Sequence, residues 1–135
     1  MMWLFRSMIE DLDGKPKVGP AATMLGVRTG PKVPPADVVA FSLLDIIVPG
    51  FGLSVAPNDP LYLPVFRRPA EFGGTGKNPV WMIDVDQLGL GLLFLFDKPP
   101  GHGLIAPSKP MTLVDFHVAL EMTRRHWVRY NRSNG

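Results

Sequence analysis

Residues 96–127 read FDKPPGHGLIAPSKPMTLVDFHVALEMTRRHW, and the fold is read outward from them. An apolar strand enters a Lys98-Pro99-Pro100-Gly101 corner, His102 follows the corner, and a second short strand covers residues 104–106. Thr112 is then placed to cap a helix, with Asp115 three residues on standing in for the Glu of a capping box. Phe116, Leu120, Thr123, Trp127 and Tyr130 recur at helical spacing, which predicts a long C-terminal helix with one apolar stripe. Arg124, Arg125 and Arg129 gather towards its C-terminal end, where the helix dipole and a solvated face account for them.

Upstream, VWMIDV (80–85) and GLLFLF (91–96) read as strands joined by a turn at residues 86–89. The second is apolar at every position after its glycine, which predicts burial on both faces. With residues 104–106 they make a compact, mainly antiparallel set. At the other end, MWLFRSM (2–8) reads as a strand with Leu4, Arg6 and Met8 on one face and Trp3, Phe5 and Ser7 on the other. The ordinary expectation for Arg6 is an edge position, stem packed and head in water. GLSVAP (52–57) is a further short strand with Ser54 in its middle.

Pro34-Pro35-Ala36-Asp37 can open a helix reaching Val48, closed by Pro49-Gly50. A buried strand over residues 43–48 is the alternative, since Ile46, Ile47 and Val48 are β-branched. Residues 21–34 read as loop and 58–60 as a turn. Residues 61–66 suit an edge strand broken by Pro64 or a single helical turn. Residues 67–77 form a partly basic loop. Its GGTGK run lacks the spacing of a phosphate loop and leads into a strand rather than a helix. The whole chain, 1–135, is therefore expected to be one α+β domain.

Composition narrows the function classes. The 135 residues are 46% hydrophobic, carry a net charge of +2 and include 14 glycines, 15 prolines and no cysteine. Such a chain can bury a core without disulfides and has no thiolate for zinc or for nucleophilic chemistry. A charge of +2 is a weak footprint for nucleic acid, and exposed aromatics do not interleave with the basic residues, so a nucleic-acid partner is disfavoured. Arg6 and the acids after it interrupt the N-terminal apolar run, so a cleaved signal peptide is not expected. No apolar run reaches the ~18 residues of a membrane span, and no membrane association is expected.

His102, His117 and His126 lack metal-ligand spacing, and no metal is expected. Ser54 lacks the glycine elbow of a serine hydrolase. Asp84 and Asp86 could serve acid/base work or simply a strand end and turn. What remains is Arg6, Ser54 and His102, single polar residues on apolar strands. An arginine fork suits a pyrophosphate, a hydroxyl can hold a ribose or an amide, and a histidine can bond a ribose or move charge near neutral pH. Brought together, they would make a nucleotide-sugar site.

Arg6 in WLFRSM with the following DLDGKPKVG, then GLSVAP, then GHGLIAPSKPMTLVDFHVAL, in that order, resemble the ADP-ribosyltransferase-like toxin family typified by the second type VI secretion exported effector, which has bacterial and fungal relatives. The resemblance covers most of the chain and is poor over residues 58–79. It implies the fold of NAD-dependent ADP-ribosylating toxins, with NAD as substrate and ADP-ribose passed to a target in a recipient cell. It also implies a cognate immunity protein, a secretion-system partner, and a cytoplasmic site of action reached without a cleaved leader. By motif position, Arg6 would anchor NAD, Ser54 would hold the central strand position and His102 the third motif, these three being the expected catalytic and cofactor-binding residues. Gly103 follows the histidine where many relatives carry an aromatic residue, and no Glu occupies the third motif. Asp84 and Asp97 are the carboxylates that could replace it. A non-catalytic toxin or interaction domain on the same fold is the alternative.

Overall fold

Trp3–Ser7 forms β1 and sets the frame, because its bulky residues are buried on both faces in a computed structural model that describes residues 2–131. The chain continues through the two-residue strands β2 (Thr29–Gly30), β3 (Val38–Val39) and β4 (Ile46–Ile47) to β5 (Leu53–Pro57). Then come β6 (Val80–Asp84), β7 (Leu92–Lys98), β8 (His102–Pro107), β9 (Met111–Thr112), the helix α1 (Leu113–Met122) and β10 (Val128–Tyr130). Six strands join in the order β10-β6-β1-β5-β8-β7, and every pairing between them is antiparallel. The architecture is α+β, mostly antiparallel strands with one helix near the C-terminus.

Both faces of the sheet are covered. Leu4 of β1, Met8 just beyond that strand, Leu53 and Val55 of β5, Ile83 of β6 and Ile105 of β8 pack with Leu113, Phe116 and Leu120 of α1. Phe5, Ala56, Leu63, Phe72 and Val80 form a second cluster, with Trp3, Met82 and Tyr130 against it. A fully buried side chain of this size stabilises by about 1.5–3 kcal/mol, so the α1 face dominates. Among the described residues no helix is long and apolar enough to cross a membrane.

The strand faces of β1, the strands at 52–57 and 80–85, and the Thr112 cap form as the sequence predicts; Thr112 Oγ1 accepts the Asp115 N–H at 3.1 Å. The long C-terminal helix does not. Helix α1 stops after ten residues, a single 3-10 turn follows, and the chain enters the sheet as β10. Thr123 explains the stop. Its hydroxyl donates to the Leu120 carbonyl at 2.6 Å and accepts the Trp127 indole N–H at 3.0 Å. Side-chain bonds of this kind compete with the helix ladder. They turn Trp127 into the α1-side core, while Tyr130 reaches the opposite cluster.

The helix expected from Pro34 to Val48 is also absent. The Asp45 carboxylate accepts the N–H groups of Phe41 and Ser42, folding the segment into a turn. The alternative strand survives only as β4, paired with β9. Strand β7, read as buried on both faces, is instead the outer strand of the sheet and leaves Leu93 and Phe96 partly exposed. A continuous apolar run reports hydrophobicity and cannot report position within a sheet. Residues 60–62 take the single-turn option.

The sheet is two three-stranded halves held by a short seam. Strand β1 pairs with β6 from Trp3↔Asp84 to Ser7↔Val80, and β5 continues along β8 to Leu53↔Ile105. Between β1 and β5 only Leu4↔Pro57 and Phe5↔Ala56 are in register. Beyond Phe5 the halves part.

Candidate functional site

Where β1 and β5 separate, a cleft of about 220 Å³ opens. Arg6 and Ser7 line it from β1, Ser54, Val55 and Ala56 from β5, and His102 from the start of β8. The loop after β5 adds Tyr62, Phe66 and Arg67, and the segments ahead of β3 add Arg28 and Asp37. The three residues singled out in the sequence, from strands far apart in the chain, thus border one cavity.

Arg6 is not the edge arginine expected. It sits on the third strand of six and is 6% exposed. Its Nη1 donates to the Ser54 carbonyl at 2.8 Å, across the gap where a β1–β5 ladder bond would have been. Nη2 donates to the carbonyls of Ala22 at 3.0 Å and Met24 at 2.9 Å, and Nε to Met24 at 3.2 Å. Burial, with Arg67 and Arg28 nearby, pulls the guanidinium pKa down to about 10, and Asp37 works against the fall. The charge is retained at neutral pH, but the fork suited to a pyrophosphate is largely occupied by main-chain oxygens. Arg6 closes the seam and pins the loop at 21–25 over it.

The Ser54 backbone serves this bond, while its hydroxyl makes no hydrogen bond among the described residues. His102 Nδ1 lies 2.6 Å from Asp97 Oδ1. With the carboxylate ionised, the neutral ring carries its proton on Nδ1 and leaves Nε2 as an acceptor. Of the two carboxylates considered as stand-ins, Asp97 therefore has a geometric link to the site. Asp84 does not: it accepts the Asp86 N–H at 2.9 Å, and this pair serves a strand end and turn.

Gly103 follows His102 for a steric reason. A Cβ there would collide with Phe94 Cε1 and come within 2.9 Å of the Leu95 carbonyl oxygen. Phe94 of β7 lies across the glycine, so this position of β8 has no room for an aromatic side chain. The cleft's aromatics, Tyr62 and Phe66, come from the loop after β5 instead.

Sequence reasoning missed Arg28, Asp37, Tyr62, Phe66 and Arg67. The available signal was the Phe66-Arg67-Arg68 run in a proline- and glycine-rich loop, since such loops carry binding residues. Asp37, expected at a helix start, instead receives Arg28 through Nη2 at 3.1 Å and Nε at 3.3 Å. Glycines 73–76 form no phosphate loop. The N–H groups of Thr75 and Gly76 donate to Val65 and Arg68 carbonyls, bracing the Arg67 loop.

Two of the basic residues that follow α1, Arg124 in the 3-10 turn and Arg129 in β10, are paired with acids rather than open. Arg124 forks onto Asp13, with both contacts 2.6 Å, and Arg129 reaches Glu10 at 3.1 Å. Among the described residues no group of three or more His, Asp or Glu side chains is placed to hold a metal ion. No family model matches the sequence, and no curated protein or solved structure matches it.

Proposed function

We propose that the protein is an NAD-consuming ADP-ribosyltransferase-type toxin. The observation that carries the reading is the convergence of Arg6, Ser54 and His102 on one cleft at the parting of β1 and β5. Tyr62 and Phe66 offer flat apolar surfaces for the rings of a dinucleotide. The free Ser54 hydroxyl can hold a ribose or the nicotinamide amide. In the reaction the bond between nicotinamide and ribose C1′ breaks, and its electron pair leaves with nicotinamide. The ribose cation that remains is attacked by an acceptor group or water. His102, acting through Nε2, takes the proton the nucleophile loses, and Asp97 stabilises the imidazolium.

The test is nicotinamide release from labelled NAD, with and without a cell lysate to supply an acceptor. Wild type should release nicotinamide. His102→Ala should lose most of the activity with its unfolding midpoint unchanged, and Asp97→Asn should lose part. Toxicity that persists in His102→Ala without NAD consumption would sink the enzyme reading.

A second reading, a domain that acts by binding a partner, is favoured by a separate observation. Phe41, Leu43, Leu44, Ile46, Val48 and Phe51 are all exposed within eleven residues. A run of this kind suits a protein interface, and under either reading it is where a cognate immunity protein or a secretion-system component would dock. Replacing Phe41, Leu44 and Ile46 by Ser should abolish such binding and leave nicotinamide release intact.

A further inference from the structure

We propose that the cleft seizes its ligand by a phosphate or pyrophosphate group held by Arg67 and the open edge of Arg28, while Arg6 lies behind them as a structural charge. The proposal deepens the dinucleotide reading and rests on it only for the nucleoside part of the ligand. Three guanidinium groups and one carboxylate, Asp37, line the cavity, so its field favours an anion. Arg6 cannot supply the grip, because Ser54, Ala22 and Met24 already occupy most of its donors. Arg28 binds Asp37 through Nε and Nη2, and its Nη1 makes no hydrogen bond among the described residues.

Arg67 is the least committed of the three. Its guanidinium has no ion pair and no side-chain hydrogen bond among the described residues. It rests 5.0 Å from the centre of the Phe66 ring. Its backbone, by contrast, is well held. The Arg67 N–H donates to Pro64 O at 2.8 Å and Gly76 N–H to Arg68 O at 2.7 Å. A Cβ on Gly76 would come within 2.8 Å of the Arg67 carbonyl carbon, so the two limbs of the loop touch through backbone. A free planar fork on a braced loop, facing a cationic cavity, is arranged for a phosphate rather than for another side chain.

The experiment titrates the full chain at low salt with inorganic pyrophosphate, ADP and adenosine. It compares wild type with Arg67→Ala, Arg67→Lys and Arg28→Gln, with unfolding midpoints measured alongside. ADP and pyrophosphate should bind wild type, adenosine at least about tenfold more weakly than ADP, and the anions should weaken as salt rises. Arg67→Ala should weaken both anions by about tenfold or more and leave adenosine unchanged, Arg67→Lys should recover part, and Arg28→Gln should lose less. The proposal is overturned if neither anion binds wild type, if adenosine binds as tightly as ADP, or if folded Arg67→Ala binds ADP within about twofold of wild type. The two readings fail separately. NAD turnover undiminished in Arg67→Ala removes the phosphate grip and leaves the enzyme standing. Arg67-dependent ADP binding without nicotinamide release leaves the grip standing and removes the enzyme.

Discussion

Replacing Arg6 by Met should cost stability rather than only activity, and the size of the loss follows from its bonds. Three carbonyls, those of Ala22, Met24 and Ser54, accept bonds of 3.2 Å or shorter from the guanidinium. At about 1 kcal/mol net for each carbonyl that keeps a partner, the contribution is roughly 3 kcal/mol. Burial opposes the charge and draws its pKa down to about 10, which places each bond at the low end of the range for a charged donor. The net loss in Arg6→Met is therefore about 3 kcal/mol, a large share of the ~5–15 kcal/mol that holds a domain folded. Methionine fills similar length without a charge, so the difference isolates the polar bonds. Urea unfolding followed by tryptophan fluorescence measures it, with an unchanged slope required for the comparison to stand. Arg6→Lys should fall between the two, because one ammonium cannot reach three carbonyls. A loss under about 1 kcal/mol in Arg6→Met would refute the reasoning, since the seam would then hold without its bridge.

Three further outcomes are expected. Thr123→Val keeps the shape but strands the Trp127 indole N–H, and should lower stability by about 1–3 kcal/mol in the same assay; a neutral result would mean that the indole finds another acceptor. Gly103→Ala forces its Cβ against Phe94 and the Leu95 carbonyl and should cost about 1–3 kcal/mol, part of it recovered when Phe94 is shortened to Leu. Burial holds the His117 pKa below its ordinary value, and its Nε2 accepts the Val27 N–H at 3.3 Å. The unfolded chain therefore takes up a proton as pH falls through about 6.5 while the folded chain does not. The His117 contribution is complete above that pH and declines below it until the folded ring also protonates. In His117→Gln that part of the acid-side fall should vanish; identical pH profiles for the two proteins would exclude His117 as its source.

The legible parts of the sequence were those set by local chemistry. The Thr112 cap, the strand around Arg6 and the GLSVAP strand each depend on residues within a few positions of one another, and each forms. What was illegible depends on partners distant in the chain. The stripe from Phe116 to Tyr130 fits a helix, and only the Thr123 bonds to Leu120 and Trp127 reveal where it stops. The run at residues 91–96 looks central because it is greasy, yet strand order makes it an edge. Arg6, Ser54 and His102 could be singled out as polar residues on apolar strands. Their meeting depends on the strand order β1-β5-β8, which alternation alone does not specify. Arg28 and Arg67 lay on segments with no period at all, where no pattern distinguishes a site residue from a solvated one.

The seam between β1 and β5 binds these observations into one argument. A full ladder from Leu4 to Met8 would have filled the space that the cleft now occupies and paired the backbone of Ser54 in place of Arg6. Parting after Phe5 leaves polar backbone groups facing a buried gap, which is costly unless donors are supplied. Arg6 supplies them through one side chain, so the cleft and its buried arginine imply each other. It follows that loss of activity in an Arg6 variant cannot identify Arg6 as a contact to the ligand, because the cavity itself depends on it. His102 and Arg67 are the informative positions. Both border the cavity, and neither carries a seam bond, so a change in binding or turnover at either reports on the ligand rather than on the fold.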